Sequence, residues 1–408
     1  MKERIILIFL GLLTAFVARA QYVTVVSGTV VNEVTGERLA GATVSGGGAT
    51  VVTNADGVFM LKTDSVKPLI VVSHLGYRSR RLNIVDVQQE PLKVKLRPAT
   101  IQLNEVLVVA EDPRQLVLAA INRIPENYSL HAELLHCFYR ETAMKRQHDI
   151  CVAEGVVDMY KTSYRRGGVG RDRVAIRKGR RLLSPRQGDT LSVKVMGGPT
   201  GPVQLDVVKN LDLLLNEEEL DCYELKMLLP ESIDDRQQYV VAIEPCRTMS
   251  WPLYYGKLYI DQQTLAFTRV DLQLDMSDRD KATRAMLVRK PVGVRFRPKE
   301  LSLLIDYRTD DTDGLTRISY VRTTFRFNCD WRRRLFATSF AATCELVVTG
   351  CEQGLDVQPI RGRESFDQRD AFFDKVEFFR DSTFWCDYNI IEPTESLDRA
   401  IHRIMKKY

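Results

Sequence analysis

Between Ser27 and Pro98 the chain is a succession of short β-branched runs separated by glycine-bearing turns, and no other stretch narrows the fold so far. Val25 to Val31 favours a strand, and the polar link Asn32 to Glu37, carrying Gly36, suits a reversal. Leu39 to Val44 leads into Gly46-Gly47-Gly48, strand composition resumes from Ala49 to Thr53, and Asn54-Ala55-Asp56-Gly57 turns the chain again. Val58, Met60 and Lys62 then alternate with Phe59, Leu61 and Thr63. The apolar run Leu69 to Val72 suits a buried strand, and Leu92, Val94 and Leu96 alternate with Lys93, Lys95 and Arg97. So many short strands at this spacing predict a small all-β sandwich. The three glycines lack the lysine of a phosphate loop and read as a hairpin end.

The order Gly28-Thr29-Val30, Leu39-Ala40-Gly41-Ala42-Thr43-Val44, Thr53 to Phe59 and Ser73-His74-Leu75-Gly76-Tyr77 resembles the carboxypeptidase-regulatory-like domain, a transthyretin-like β-sandwich. Leu103 to Val109 is similar to the segment that leaves this domain in many bacterial envelope proteins, TonB-dependent receptors among them. The remainder, with Cys137 to Glu141 and Tyr388 to Pro393, resembles exported Bacteroidota proteins of unassigned activity. In that family the domain is an accessory module, so the resemblance implies a fold and no catalytic residue.

Met1 to Ala20 has a charged start, an apolar core from Ile5 to Val17 and the small-x-small triplet Ala18-Arg19-Ala20, which together predict a signal peptide cut after Ala20. The first cysteine is Cys137, so no thiol near the cut accepts lipid. The expectation is a periplasmic, unlipidated chain with no transmembrane span once the leader is removed. Too few residues follow Val109 for a plug and a large barrel. The formal charge falls from +5 to +3 with the leader, which argues for no polyanionic partner such as nucleic acid.

Residues 21–99 are therefore assigned to the sandwich and 100–130 to a linking strand and helix. In the latter Asp112 caps, Pro113 starts, Leu116, Val117, Ala120, Ile121 and Ile124 form one stripe, and Pro125 ends the helix. Residues 131–408 read as a second, α+β domain. Leu301, Leu303, Ile305 and Tyr307, then Val321, Thr323, Phe325 and Phe327, mark long alternating strands of a curved antiparallel sheet or open barrel. Leu397, Ala400, Ile401, Ile404 and Met405 predict a terminal helix docked on that sheet. The fold class is mainly β.

Chemistry is harder to find. The five histidines, His74, His131, His136, His148 and His402, form no His-Glu-x-x-His or His-x-x-Glu pattern, and no Gly-x-Ser-x-Gly elbow occurs. Neither a metal nor another cofactor is expected. Carboxylate pairs are defined by spatial separation, so a hydrolase with dispersed carboxylates stays open. None of the eight cysteines forms Cys-x-x-Cys; Cys344 and Cys351, flanking Gly350, are the candidate disulfide. Two basic stretches, Arg171 to Arg181 and Arg332-Arg333-Arg334 beside Trp331, are candidates for an anionic glycan or lipid headgroup. The leading expectation is a non-enzymatic envelope protein that contacts another envelope component through sandwich edges and the curved sheet. The alternatives are a carrier of a lipid or other apolar ligand, and the hydrolase. Mass spectrometry of protein from the envelope is expected to show a first residue of Gln21; retention of Met1 would overturn the cleavage assignment.

Overall fold

The computed structural model describes residues 24–84, 90–99, 112–184, 193–195, 197–331, 336–354, 357–368, 370–378, 384–385 and 388–406. Ala18, Ala20, the triplet Arg332-Arg333-Arg334 and the segment Leu103 to Val109 lie outside the described residues.

The predicted sandwich forms from β1 (Thr24–Asn32), β2 (Thr43–Gly46), β3 (Ala49–Val52), β4 (Val58–Thr63), β5 (Leu69–Ser73), β6 (Arg80–Asn83) and β7 (Leu92–Leu96). Its sheets run β4-β1-β7 and β3-β2-β5-β6, with β7 parallel to β1. Alternation puts Val26, Val30, Phe59 and Leu61 of one sheet against Val44, Ile70 and Val72 of the other.

Next come two helices, α1 (Pro113–Asn122) and α2 (Ile124–Asn127). The Asp112 side chain accepts from the Arg114 N–H, and Leu116, Val117 and Ala120 are buried. Pro125 does not simply end the stripe, as expected; it occupies the first turn of α2, where the missing N–H has no partner to lose.

The larger sheet and its helices are built from β8 (Glu133–Lys145), β9 (His148–Lys161), β10 (Arg173–Leu183), β11 (Lys194–Val195), α3 (Gly201–Gln204), α4 (Glu217–Leu220), β12 (Tyr223–Ile233), β13 (Arg236–Pro245), β14 (Tyr254–Asp261) and β15 (Phe267–Leu274). There follow α5 (Arg279–Met286), β16 (Leu287–Arg289), β17 (Val294–Thr309), β18 (Thr316–Trp331), β19 (Thr338–Glu352), β20 (Glu377–Phe378) and α6 (Glu395–Met405). Eleven strands make one sheet in the order β12-β13-β14-β15-β17-β18-β19-β8-β9-β10-β20, and β11 pairs with β16. All its ladders are antiparallel except β10 with β20. The pairing of β19 with β8 joins the first meander to the second, and β12 and β20 remain separate edges. The sheet is thus open.

One buried carboxylate records its curvature. Asp206 accepts from Tyr307 Oη of β17 at 2.8 Å, from Lys161 Nζ of β9 at 2.5 Å and from Tyr164 Oη at 2.8 Å. Strands β17 and β9 are four places apart, about 19 Å in a flat sheet, so the sheet bends to let both side chains reach one residue. Beside this node Lys209 Nζ donates to Asp172 at 2.7 and 2.8 Å and to the Thr162 carbonyl at 2.5 Å. Burial and the neighbouring Lys161 charge depress the Lys209 ammonium to about 8 against the opposing pull of Asp172. Burial alone would raise the Asp206 carboxyl, but the Lys161 charge and the three donors hold it below the carboxylate range.

The convex face carries the sandwich and the chain's last segment. Val52 of β3 joins Phe138, Val156, Tyr320, Val347, Trp385 and Ile391 in one apolar cluster. Beneath it Glu154 accepts from Arg140 Nε at 2.8 Å, Arg180 Nε at 3.0 Å and Trp385 Nε1 at 3.0 Å. Asn389 spans the outer edge of β4: Lys62 N–H donates to its Oδ1 at 2.8 Å and its Nδ2 donates to the Lys62 carbonyl at 2.9 Å. Thr394 caps α6, which buries Leu397, Ile401 and Ile404 against Val152 and Leu182, docking on the sheet as its stripe requires. Among the described residues no helix is long and apolar enough to cross a membrane.

Asp206→Asn keeps the shape of the node but leaves the Lys161 charge buried without its closest anion. Urea unfolding is expected to show a loss of about 3–5 kcal/mol; an unchanged midpoint would show that the node does not hold the bend.

Candidate functional site

Period-two alternation sends Leu135, Cys137, Tyr139, Glu141 and Ala143 of β8 to the concave face. The first three enter the main apolar core, and Ala143 enters a second cluster with Ile150, Phe325, Phe327 and Ala342. Glu141 falls at the junction of the two. There a cavity of about 280 Å³ opens between β8, β9, β19 and the segments around Lys194 and Phe372. Ala143, Ile150, Cys151, Ala342, Cys344 and Phe372 form most of its apolar wall, while Lys194, Arg289, Asp370 and Asp374 bring charge to its lining. Register places Cys344 and Cys151 beside Glu141 and Ala143 respectively.

Two glycines make the enclosure. A Cβ on Gly198, whose φ is +90°, would lie 2.8 Å from the Phe366 ring; one on Gly155 of β9 would lie 2.7 Å from Phe372 Cζ. Gly198 thereby brings its N–H to Glu141 Oε1 at 2.7 Å, and Tyr139 Oη donates to the same oxygen at 2.6 Å. The second oxygen, Oε2, has no hydrogen-bond partner among the described residues. Burial raises the Glu141 carboxyl, and the two donors with the Lys194 charge only partly pull it back. Burial likewise lifts Cys344 well above the thiol range and Cys151 to about 12, so neither presents a thiolate.

Two larger clefts follow the seam between sandwich and sheet. One, of about 470 Å³, is lined by Arg140, Asp149, Arg322, Glu345, Glu392 and Arg403 among others; the second, of about 450 Å³, lies over Gly46 to Gly48 and Arg317. Arg140 and Glu345 are register partners, with Glu154 in the same row, whereas Asp149 lies five residues further along β9. That sets Asp149, though not Glu392, about 17 Å of strand from Glu345, beyond the separation of about 5–9.5 Å at which two carboxylates share a glycosidic bond.

Arg171 is exposed, but the basic stretch from Arg173 to Arg181 is paired within the molecule. Arg173 Nη1 donates to the Gly170 and Asp172 carbonyls at 2.8 Å each, Arg177 Nε to Asp158 at 2.5 Å, and Lys178 Nζ to the Phe384 carbonyl at 2.8 Å. Arg180 pairs with Glu154, and Arg181 with the Phe373 carbonyl. His136 bridges Asp158 and Glu352 at 2.8 Å to each, and those contacts, led by Asp158, raise its imidazole against the cost of burial. The expected bridge between Cys344 and Cys351 is corrected: both are free thiols on β19, seven residues apart. An extended strand separates them by about 23 Å, far beyond disulfide reach. Gly350 marks a register shift within the ladder of β19 on β8 and makes no turn. Among the described residues no group of three or more His, Cys, Asp or Glu side chains is placed to hold a metal ion. Sequence reasoning passed over Glu141; the available signal was Tyr139-x-Glu141 on one strand face and the glycine- and proline-rich run Met196 to Pro202.

Residues 26–108 match the CarboxypepD_reg-like domain family, in agreement with the resemblance drawn from the sandwich motifs. No curated protein matches the chain. Among solved structures, a DUF1329 family protein from Desulfovibrio piger aligns at 10% identity over 61% of this chain and 96% of its own, with a TM-score of 0.27. A Vibrio parahaemolyticus domain named for outer membrane lipoprotein sorting aligns at 12% identity over 61% and 95%, with a TM-score of 0.27. MucB in complex with MucA aligns at 12% identity over 58% and 94%, with a TM-score of 0.18.

Because folded Glu141 keeps its proton to higher pH than the unfolded chain does, its favourable contribution is complete below about pH 4.5 and declines as pH rises through the folded value. Glu141→Gln is expected to flatten that decline in a stability–pH series. Tyr139→Phe, which removes a donor to the carboxylate, should carry the decline to higher pH; identical profiles for all three proteins would contradict the assignment.

Proposed function

We propose that this is a non-enzymatic protein of the bacterial cell envelope whose concave sheet face holds a small apolar ligand in the Glu141 cavity. The observation that carries the reading is the cavity itself: an apolar wall of alanine, isoleucine, cysteine and phenylalanine around one inward carboxyl. Ligand sites are commonly concave and apolar with a few oriented polar groups, and about 280 Å³ stands at the small end of their range, about 300–1,000 Å³. The exported address rests on the leader Met1 to Ala20. The reading without turnover is supported by thiols raised out of the reactive range and by a Glu141 carboxyl whose Oε1 is already taken by Tyr139 and Gly198.

A second reading, contact with another envelope component, is favoured by β12. This strand is an edge of the sheet, and Met227, Leu228 and Leu229 are 36%, 39% and 67% exposed on it. An exposed apolar edge is a template for strand addition. The sandwich edge at β4 is instead closed by Asn389.

Protein isolated from the envelope, extracted with organic solvent and analysed by mass spectrometry, is expected to release a stoichiometric apolar molecule. Ala342→Phe and Ala143→Phe, each filling the cavity from a different strand, should lose it while retaining the far-UV dichroism of the parent. A parent that releases nothing, or filled variants that release as much, would overturn the ligand reading. A copurifying polypeptide with no small molecule would favour β12.

A further inference from the structure

Glu141 is the one ionisable side chain of β8 in the cavity lining, and its two oxygens have unlike surroundings. Oε1 already accepts from Tyr139 Oη and from the Gly198 N–H, which leaves it little capacity for a ligand donor. Oε2 has no partner among the described residues and belongs to a side chain that lines the cavity. A carboxyl held in this way presents its proton on the unpartnered oxygen. The charged groups near it come from three further elements: Lys194 of β11, Arg289 of β16, and Asp370 and Asp374 of the segment before β20; β19 and β9 add the neutral thiols of Cys344 and Cys151. Lys194 acts on the Glu141 carboxyl directly, as a cation within electrostatic reach. A second cation entering the cavity would meet that field, whereas an uncharged acceptor meets only the donor.

Resting on the reading of the cavity as a ligand site, we propose that its ligand is an uncharged apolar molecule ending in a carbonyl or ester oxygen, which accepts a hydrogen bond from Glu141 Oε2. The apolar body lies against Ala143, Ile150, Ala342 and Phe372, and the oxygen takes the place of the missing partner. The alternative within the same site is a ligand ammonium held by an ionised Glu141. The two make opposite demands on the side chain. An acceptor ligand needs a donor at this position, and glutamine supplies one permanently through its amide NH₂, while its carbonyl can keep the Tyr139 and Gly198 hydrogen bonds. An ammonium needs the negative charge, which glutamine lacks.

The test uses methyl octanoate and octylammonium as probes, with binding to the full mature chain measured by calorimetry from pH 4 to pH 9 for wild type, Glu141→Gln and Glu141→Ala. The expected result is that methyl octanoate binds wild type at low pH and weakens as Glu141 ionises. It should bind Glu141→Gln with little pH dependence, and bind Glu141→Ala about tenfold more weakly than wild type at low pH, the worth of one neutral hydrogen bond. Three results overturn the inference. If methyl octanoate binds all three proteins alike, the cavity stands and the role of Glu141 falls. If octylammonium binds wild type best at high pH and is lost in Glu141→Gln, the site is one for a cation. If neither probe binds wild type or Glu141→Gln, and both fold as judged by dichroism, the ligand reading itself fails with it.

Discussion

The bend of the eleven-stranded sheet depends on satisfying buried charge at Asp206. Two cations and two anions, Lys161, Lys209, Asp172 and Asp206, are nearly inaccessible to solvent, with side-chain exposures of 0–2%. Charges in such a place are tolerable only when paired and hydrogen-bonded on every side. Tyr164 and Tyr307 complete the shell of Asp206, and Tyr128 stacks on Tyr164 and meets Tyr307 edge-on. Partners supplied from β9, from the loop after it and from β17 can meet only when the intervening strands curve. Given that curvature, the side chains of β8 and β19 face a hollow, and the apolar cavity beside Glu141 follows from it.

Alternation is a local signal, and the parts of the fold that depend on it were legible. Phe59 and Leu61, Leu301 and Leu303, and Phe325 and Phe327 are core positions that their spacing assigns without help. The Asp112 cap and the Leu116–Val117–Ala120 stripe were equally readable. Pro125 misled because a proline that stops one helix is also suited to start the next. Cys344 and Cys351 misled for a related reason: Gly350 reads as a turn in isolation, and only the ladder to β8 shows that the strand runs through it.

The site was less legible because its chemistry is assembled from distant segments. Glu141 is an unremarkable acid in sequence; its proton affinity comes from burial among Val193, Lys194, Val195, Gly197, Gly198 and Phe372. The arginines and lysine between Arg173 and Arg181 looked like a surface stripe because their partners lie elsewhere: Glu154 and Asp158 on the adjoining strand, and backbone carbonyls of the chain's last segment. Charge composition records how many such groups exist. It does not record which are already paired.

The amide of Asn389 completes the edge of β4 from a position 327 residues downstream, and Asn54 reaches the Pro393 carbonyl across 339. The sandwich is therefore finished by residues made more than three hundred positions after it. Contacts of such high sequence separation are slow to form, so after synthesis or export the sandwich edge waits, open and competent to pair with other strands, until the tail arrives. Any factor that engages that edge in the interval competes directly with the chain's own closure.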